Sequence, residues 1–297
     1  METARAAPGT SHTRGVDVRD GDNAVNKSVS RREALRSAGA GLATVGFAVP
    51  LLAGQTQSTS PAAPASLWPD FPRQDPALAK ELVGVCHRDI ARAAALVEAE
   101  PALVNAAWDW GFGDWETPLG AASHTGRREI AEMLLAKGAR PDIFSMAMLG
   151  RLDAVRAAVE SMPGIQRCLG PHGITLAAHA RAGGDEAKAT LDYLLSLGDA
   201  DIPPASVAID AEQLPKYAGV FAFGPGSDER LEVLVKRQHL EIGRAGRSSQ
   251  RTYFTGNDTF FPSGVPTTSL AFKVEGDRAV SLTIRTGGRV IECARAQ

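Results

Sequence analysis

The sequence predicts a multi-domain α + β chain: an α-helical solenoid of about four repeats, then a small antiparallel β-barrel. Three observations predict it. Trp115 to Ala139 reads as two short antiparallel helices, with Thr117 as a cap, Pro118 at the first helical position, and Gly126 and Gly138 closing the two helices. The ending Leu-Leu-x-x-Gly at 134–138 returns at 194–198, a spacing of about two helix-pair repeats. After Pro203-Pro204 the helical period gives way to the alternation of short strands.

The chain has 297 residues, 44% hydrophobic and 22% charged, an ordinary globular balance with room for about two domains. Its net charge is -2, and residues 1–53 hold 7 basic and 5 acidic residues, which leaves the rest more acidic still. A mildly acidic body argues against nucleic acid as a partner. Cys86, Cys168 and Cys293 are far apart and form no paired metal-ligand motif. Buried free thiols fit them, and a single disulfide would leave one cysteine over.

Residues 1–29 are polar and patternless. Ser30-Arg31-Arg32-Glu33-Ala34-Leu35-Arg36 follows, then an uncharged run over 37–53 that is rich in Gly and Ala and interrupted by Pro50. A basic pair, an apolar run and a polar Ser/Pro-rich stretch in that order resemble a twin-arginine export signal with a long leader over 1–53. The apolar run is short and weakly apolar for a membrane span. The resemblance implies export of a folded protein to the periplasm or beyond, with membrane contact only through this segment if it stays uncleaved. Residues 54–77 read as a Ser/Pro/Ala-rich linker.

Residues 78–202 carry the repeat region. Ala79 to His87 and Ile90 to Glu98 form a first pair, Pro118 to Ala136 the second, Ile143 to Val159 a degenerate third, and Gly173 to Gly198 a fourth. A single pair cannot bury its apolar face, and three or more suffice for a stack. The second pair, Thr117-Pro118-Leu119-Gly120 running to Leu134-Leu135-Ala136-Lys137-Gly138-Ala139, resembles an ankyrin repeat, with Gly120 where that family usually has His. The resemblance implies binding of a protein partner through hairpin loops and a concave helix face, and no shared chemistry.

The loop before this pair holds three of the four tryptophans in Trp108-Asp109-Trp110-Gly111-Phe112-Gly113-Asp114-Trp115-Glu116. Aromatic rings with few rotors dominate binding hot spots. The loop therefore reads either as a recognition lip of Trp108, Trp110, Phe112 and Trp115 beside acidic Asp109, Asp114 and Glu116, or as rings folded back into the seam between repeats. His124, His172 and His179 fall at similar places in repeats two and four. Three imidazoles could hold a metal, but two steps of a stack span roughly 20 Å at helix-packing spacing. The expectation is no metal, no cofactor, and His124 and His179 as polar lining of a partner-binding groove.

Residues 203–297 read as about eight short strands, with turns at Glu275-Gly276-Asp277 and Thr286-Gly287-Gly288. Such a meander curls into a barrel. Leu214-Pro215-x-Tyr217-x-Gly219-x-Phe221, Asp258-Thr259-Phe260-Phe261 and the final strand pair over Thr283 to Arg289 resemble the small lipocalin-like domain found behind bacterial β-lactamase-like serine hydrolases. The hydrolase itself is missing, with no Ser-x-x-Lys and no Gly-x-Ser-x-Gly. Tyr217, Phe221, Tyr253, Phe254, Phe260, Phe261 and Phe272 are expected to fill the barrel, and Lys236, Arg237, Arg244, Arg247 and Arg251 to form a solvated basic face. The expected function is a non-catalytic exported module that binds a protein partner. The competing readings are a small-ligand binder through the barrel and an accessory subunit of an envelope enzyme.

Overall fold

A computed structural model of the chain describes residues 69–70 and 72–296. The twin-arginine segment and most of the linker lie outside the described residues. Among the described residues eight α-helices follow one another as four pairs: α1 (Pro76–Val85) with α2 (Ile90–Ala99), α3 (Pro118–His124) with α4 (Arg128–Ala136), α5 (Ile143–Met148) with α6 (Leu152–Ser161), and α7 (Leu176–Ala182) with α8 (Lys188–Ser196). A short hairpin, β1 (Trp108–Asp109) and β2 (Trp115–Glu116), precedes α3. Among the described residues no helix is long and apolar enough to cross a membrane.

Side-chain caps set where the inner helices begin. Asp75, Thr117, Asp142 and Thr175 each accept a backbone N–H from the first turn of α1, α3, α5 and α7. Each cap satisfies a donor that has no partner inside its helix. Small residues then let the inner helices close on one another. Ala121, Ala122, Ala147, Ala177 and Ala180 are fully buried among Leu119, Met148 and Leu176.

The expected solenoid does not form. In a repeat stack each unit touches only its neighbours, but α7 packs against α3 as well as α5. The inner helices are all short, with six residues in α5 and seven each in α3 and α7, and the small residues on them permit close packing. Glycine completes the approach: a Cβ on Gly126, after α3, would lie 2.3 Å from the Ala182 carbonyl at the end of α7. Among the described residues the hairpin β1–β2 is echoed before α7 only by a single antiparallel bridge between Leu169 and Thr175. The helical region is a compact cluster rather than an ankyrin stack with an extended concave face.

The C-terminal region is a closed eight-stranded antiparallel barrel. Its strands are β3 (Gly219–Ala222), β4 (Arg230–Lys236), β5 (His239–Arg244), β6 (Gln250–Gly256), β7 (Thr259–Pro262), β8 (Ser269–Glu275), β9 (Arg278–Thr286) and β10 (Arg289–Arg295). Each pairs with the next in sequence, and β10 pairs with β3. Closure leaves no open edge. Alternate residues point inward, as in Leu231 and Val233 of β4, Leu240 and Ile242 of β5, and Leu282 and Ile284 of β9. The 3-10 segment Ala211–Tyr217 places Leu214 and Tyr217 into the same core. Tyr217, Phe221, Phe260 and Phe272 pack edge-on or tilted with centroids 4.9–5.7 Å apart, the favoured geometry for aromatic pairs.

Tyr253 and Phe261 depart from the expected barrel filling. Their rings stack at 5.3 Å and line a cavity shared with His172, Ile174, Pro203 and Pro204. The period-2 geometry explains this, because Phe260 takes the inward position and its neighbour Phe261 must face the other way. Replacing Phe260 by Ala should cost about 3–5 kcal/mol through lost burial and a residual cavity. A denaturant titration checks this, and a loss below about 1 kcal/mol would show that the barrel interior is loosely filled. The three cysteines are free.

Candidate metal centre

Each site residue comes from a different local device. Trp115 and Glu116 are successive residues of β2, so their side chains point to opposite sides. Trp115 is 62% exposed and Glu116 is 0% exposed. The turn between β1 and β2 runs through Gly111, Phe112 and Gly113, all at positive φ. Asp109 Oδ1 holds it by accepting the Gly111 and Gly113 N–H groups. Phe112 reaches the barrel core, and Trp108 and Trp110 pack on the helical core.

His124 is the last residue of α3. His87 follows the end of α1, where its Nδ1 donates to the Val83 and Gly84 carbonyls at 3.0 and 3.2 Å. A carbonyl can only accept, so Nδ1 carries the proton and Nε2 presents a lone pair. His172 sits in the loop before α7 with φ at 60°. Its backbone N–H donates to Asp114 Oδ1 at 2.9 Å, and its Nδ1 donates to Asp114 Oδ2 at 2.7 Å. That keeps a proton on Nδ1, so release of the Nε2 proton would leave His172 in the same ring form as His87.

The barrel supports Asp114 from behind. Gln250 Nε2 of β6 donates to Asp114 Oδ2 at 3.3 Å, and the Ser263 hydroxyl donates to the His172 carbonyl at 3.3 Å. Gly264 follows, where a Cβ would sit 2.2 Å from Asp114 Oδ1. Only glycine admits the carboxylate there. The centre therefore lies where the helical cluster meets the barrel, with one wall from each.

Three imidazoles converge on the Glu116 carboxylate. His124 Nδ1 lies 3.1 Å and His172 Nε2 3.5 Å from Oε1, and His87 Nε2 lies 3.6 Å from Oε2. One donor atom from each of the four residues falls within 4.8 Å of the others. Bonds of about 2.0–2.1 Å to a tetrahedral ion put neighbouring ligand atoms about 3.3 Å apart; the His124 and His172 separations from Oε1 are close to that edge, while His87 lies nearer Oε2 and the group as a whole is looser. Trp110 Nε1 donates to Glu116 Oε2 at 2.7 Å and orients the carboxylate. Glu116 Oε1 and His124 Nδ1 are buried without a hydrogen-bond partner among the described residues, because the line between them is off the direction of a hydrogen bond. Leaving such groups unsatisfied costs about 1–3 kcal/mol each.

The electrostatics follow from crowding. Burial alone would raise the Glu116 carboxyl, but the His124 and His172 imidazoles beside it, with the charges of His172 and His87, hold it down to about 2. Burial alone would lower His172, but Asp114 and Glu116 outweigh it and raise the imidazole to about 9. His87 is lowered by burial and by His124, against the pull of Glu116. Cys86 packs in the helical core, and burial with the Glu116 charge pushes its thiol up to about 12.

The structure redistributes the residues expected to bind a partner. Asp114, Glu116 and His179 are buried, so they offer almost no surface to a partner. His124 is nearly so, and Trp110 is turned inward as a hydrogen-bond donor to Glu116. Trp115 stands out into solvent, and Asp109 shapes its own turn. The expectation that His124 and His172 lie about two stack steps apart is also wrong: their ring centroids are 5.2 Å apart, because α7 closes on α3. His179 packs on Phe144 at 4.8 Å and lies 6.5 Å from His124, behind the donor group. His87 carried no functional expectation in the sequence, since a lone histidine after a helix has no spacing to mark it. Four of the six histidines of the chain gather in this one region. No family model and no characterised protein matches the chain in sequence.

Proposed function

We propose that the chain is a metalloprotein that binds one divalent transition-metal ion through His87, Glu116, His124 and His172. The observation that carries this is the gathering of three imidazoles around the buried Glu116 carboxylate, with Glu116 Oε1 and His124 Nδ1 only 3.1 Å apart yet not aligned as a hydrogen bond. Three imidazoles and a carboxylate suit zinc, iron, cobalt or nickel better than calcium or magnesium, which prefer all-oxygen shells. The Asp114–His172 and Val83–His87 hydrogen bonds are the outer partners such ligands need to fix ring orientation and tautomer.

The ion would be a Lewis acid with one face toward a cavity. His87, His172 and Trp110 line that cavity, whose volume is about 670 Å³, within the range of small-molecule sites. Four protein ligands complete a tetrahedron, so a fifth position must open on that face for a small molecule to reach the ion. The chain's residues hold the ion, fix its ligands and shield its inner side with the helical core.

Metal analysis after reconstitution of the full chain tests the reading. Zinc or cobalt should be retained at one equivalent after exhaustive dialysis, and the cobalt form should show the intense visible band of a low-symmetry four- or five-coordinate site. Failure to retain any of zinc, cobalt, nickel or ferrous iron at one equivalent would sink the proposal.

A further inference from the structure

We infer that the open side of this centre is a binding cleft for a small organic oxyanion, a carboxylate or phosphate monoester with an apolar body. The inference rests on the metal reading for one of its contacts and on the cleft walls for the rest. The walls of the 670 Å³ cavity come from α1 on one side and from Trp110, His87 and His172 on the other. Along α1 the spacing Ala77, Lys80, Glu81, Gly84 brings one helix face to the cavity. Gly84 has no neighbour within 4 Å of where a Cβ would lie, so it leaves space rather than making a contact.

The charge balance of the walls selects the ligand. Lys80 and Arg88 line the cavity and have no acidic partner among the described residues. The one carboxylate on the wall, Glu81, is taken up by Arg92 at 2.6 Å. A divalent ion would offset the Glu116 and Asp114 charges at the cavity floor, so the positive charge of the cleft comes from Lys80 and Arg88 on its walls. A cleft with low-dielectric walls and one sign of charge concentrates ions of the opposite sign.

Ala77, Val85 and the Trp110 ring supply the apolar surface, which favours a ligand with a hydrocarbon or aromatic body over a bare inorganic ion. A second cavity of about 660 Å³ shares Lys80 and Trp110 with the first and carries Arg244 and Arg247 of the barrel on its far wall. Its one acidic residue, Asp109, is turned into its own backbone. The positive lining thus continues past Trp110 and offers room for a longer anion.

The test uses the full chain loaded with cobalt and three probes of similar shape: benzoate, phenyl phosphate and neutral benzamide. Benzoate or phenyl phosphate should perturb the cobalt band with saturable binding, and benzamide should not. Comparing the two anions shows which group the cleft takes. The double variant Lys80→Ala with Arg88→Ala touches no metal ligand, should keep one equivalent of cobalt, and should bind the anion about tenfold or more weakly. Equal affinity in the double variant, or benzamide binding as benzoate does, would overturn the cleft while leaving the metal reading intact. If the chain retains no metal, that reading fails by itself. Calorimetry of benzoate and phenyl phosphate with the metal-free chain then decides the cleft: binding lost in the double variant supports it, and no binding overturns it.

Discussion

Glu116→Gln should abolish stoichiometric metal binding. The substitution keeps the shape of the side chain and removes the only negative charge among the four donors. It also turns an acceptor into an amide whose N–H groups point at imidazole lone pairs. Removing an outer-shell partner typically weakens a metal site by about 10–100-fold, and losing the charged ligand itself should exceed the upper end of that range. Asp114→Asn supplies the graded comparison. It leaves all four donors and weakens only the carboxylate that orients His172, so its loss should fall at about 10–100-fold. Competition with a chromophoric chelator measures both. Glu116→Gln holding metal within tenfold of the wild type would show that the carboxylate is not a ligand. His124→Ala separates misfolding from ligand loss: it sits at a helix end, and its metal-free form should keep the native circular dichroism.

The barrel was legible in the sequence because its signals are local. Leu231, Val233, Leu240 and Ile242 alternate along single strands, and Gly276 and Gly287-Gly288 mark hairpins without reference to anything distant. The start of α3 was legible for the same reason, from Thr117 and Pro118. The arrangement of the helices was not. Whether α7 touches α3 depends on how three successive helices pack and on the absence of a Cβ at Gly126, and Gly126 by itself reads equally well as a helix end.

The candidate site inherits the same divide. His124 and His172 were visible as candidate ligands and were separated by an assumed stack. Asp114 and Glu116 were visible as acidic residues but were placed on the outside of an aromatic lip. Alternation along a strand puts Trp115 and Glu116 on opposite sides, but which of the two is buried is settled by the structure, and a buried carboxylate then requires partners. Histidine is the partner this chain concentrates over 87–179.

Between pH 6.5 and 9 the metal-free chain should lose stability, while the metal-loaded chain should hold level as far as His172 is concerned. In the metal-free chain Glu116 lies at about 2, below its ordinary 4.5, so its contribution to stability is complete above pH 4.5 and is lost as pH falls toward 2. His172 lies at about 9, above its ordinary 6.5, so its contribution is complete below pH 6.5 and is lost as pH rises through 9. Metal-free stability from this cluster should therefore plateau between pH 4.5 and 6.5 and decline on both sides.

A metal ion must displace the proton that His172 holds, so its apparent affinity should rise about tenfold per pH unit from 6.5 toward 9 and then level off. At a thousandfold excess over Kd the ion adds about 4 kcal/mol, which is about 8–16 °C in Tm for a fold of this size. At fixed metal concentration the thermal shift should grow from pH 6.5 to 9 while the metal-free Tm falls. Calorimetry with a pH-matched chelator control measures both curves. A metal-free Tm that climbs over that interval would remove the His172–Glu116 pair from the argument, and a thermal shift independent of pH would remove His172 from the ligand set.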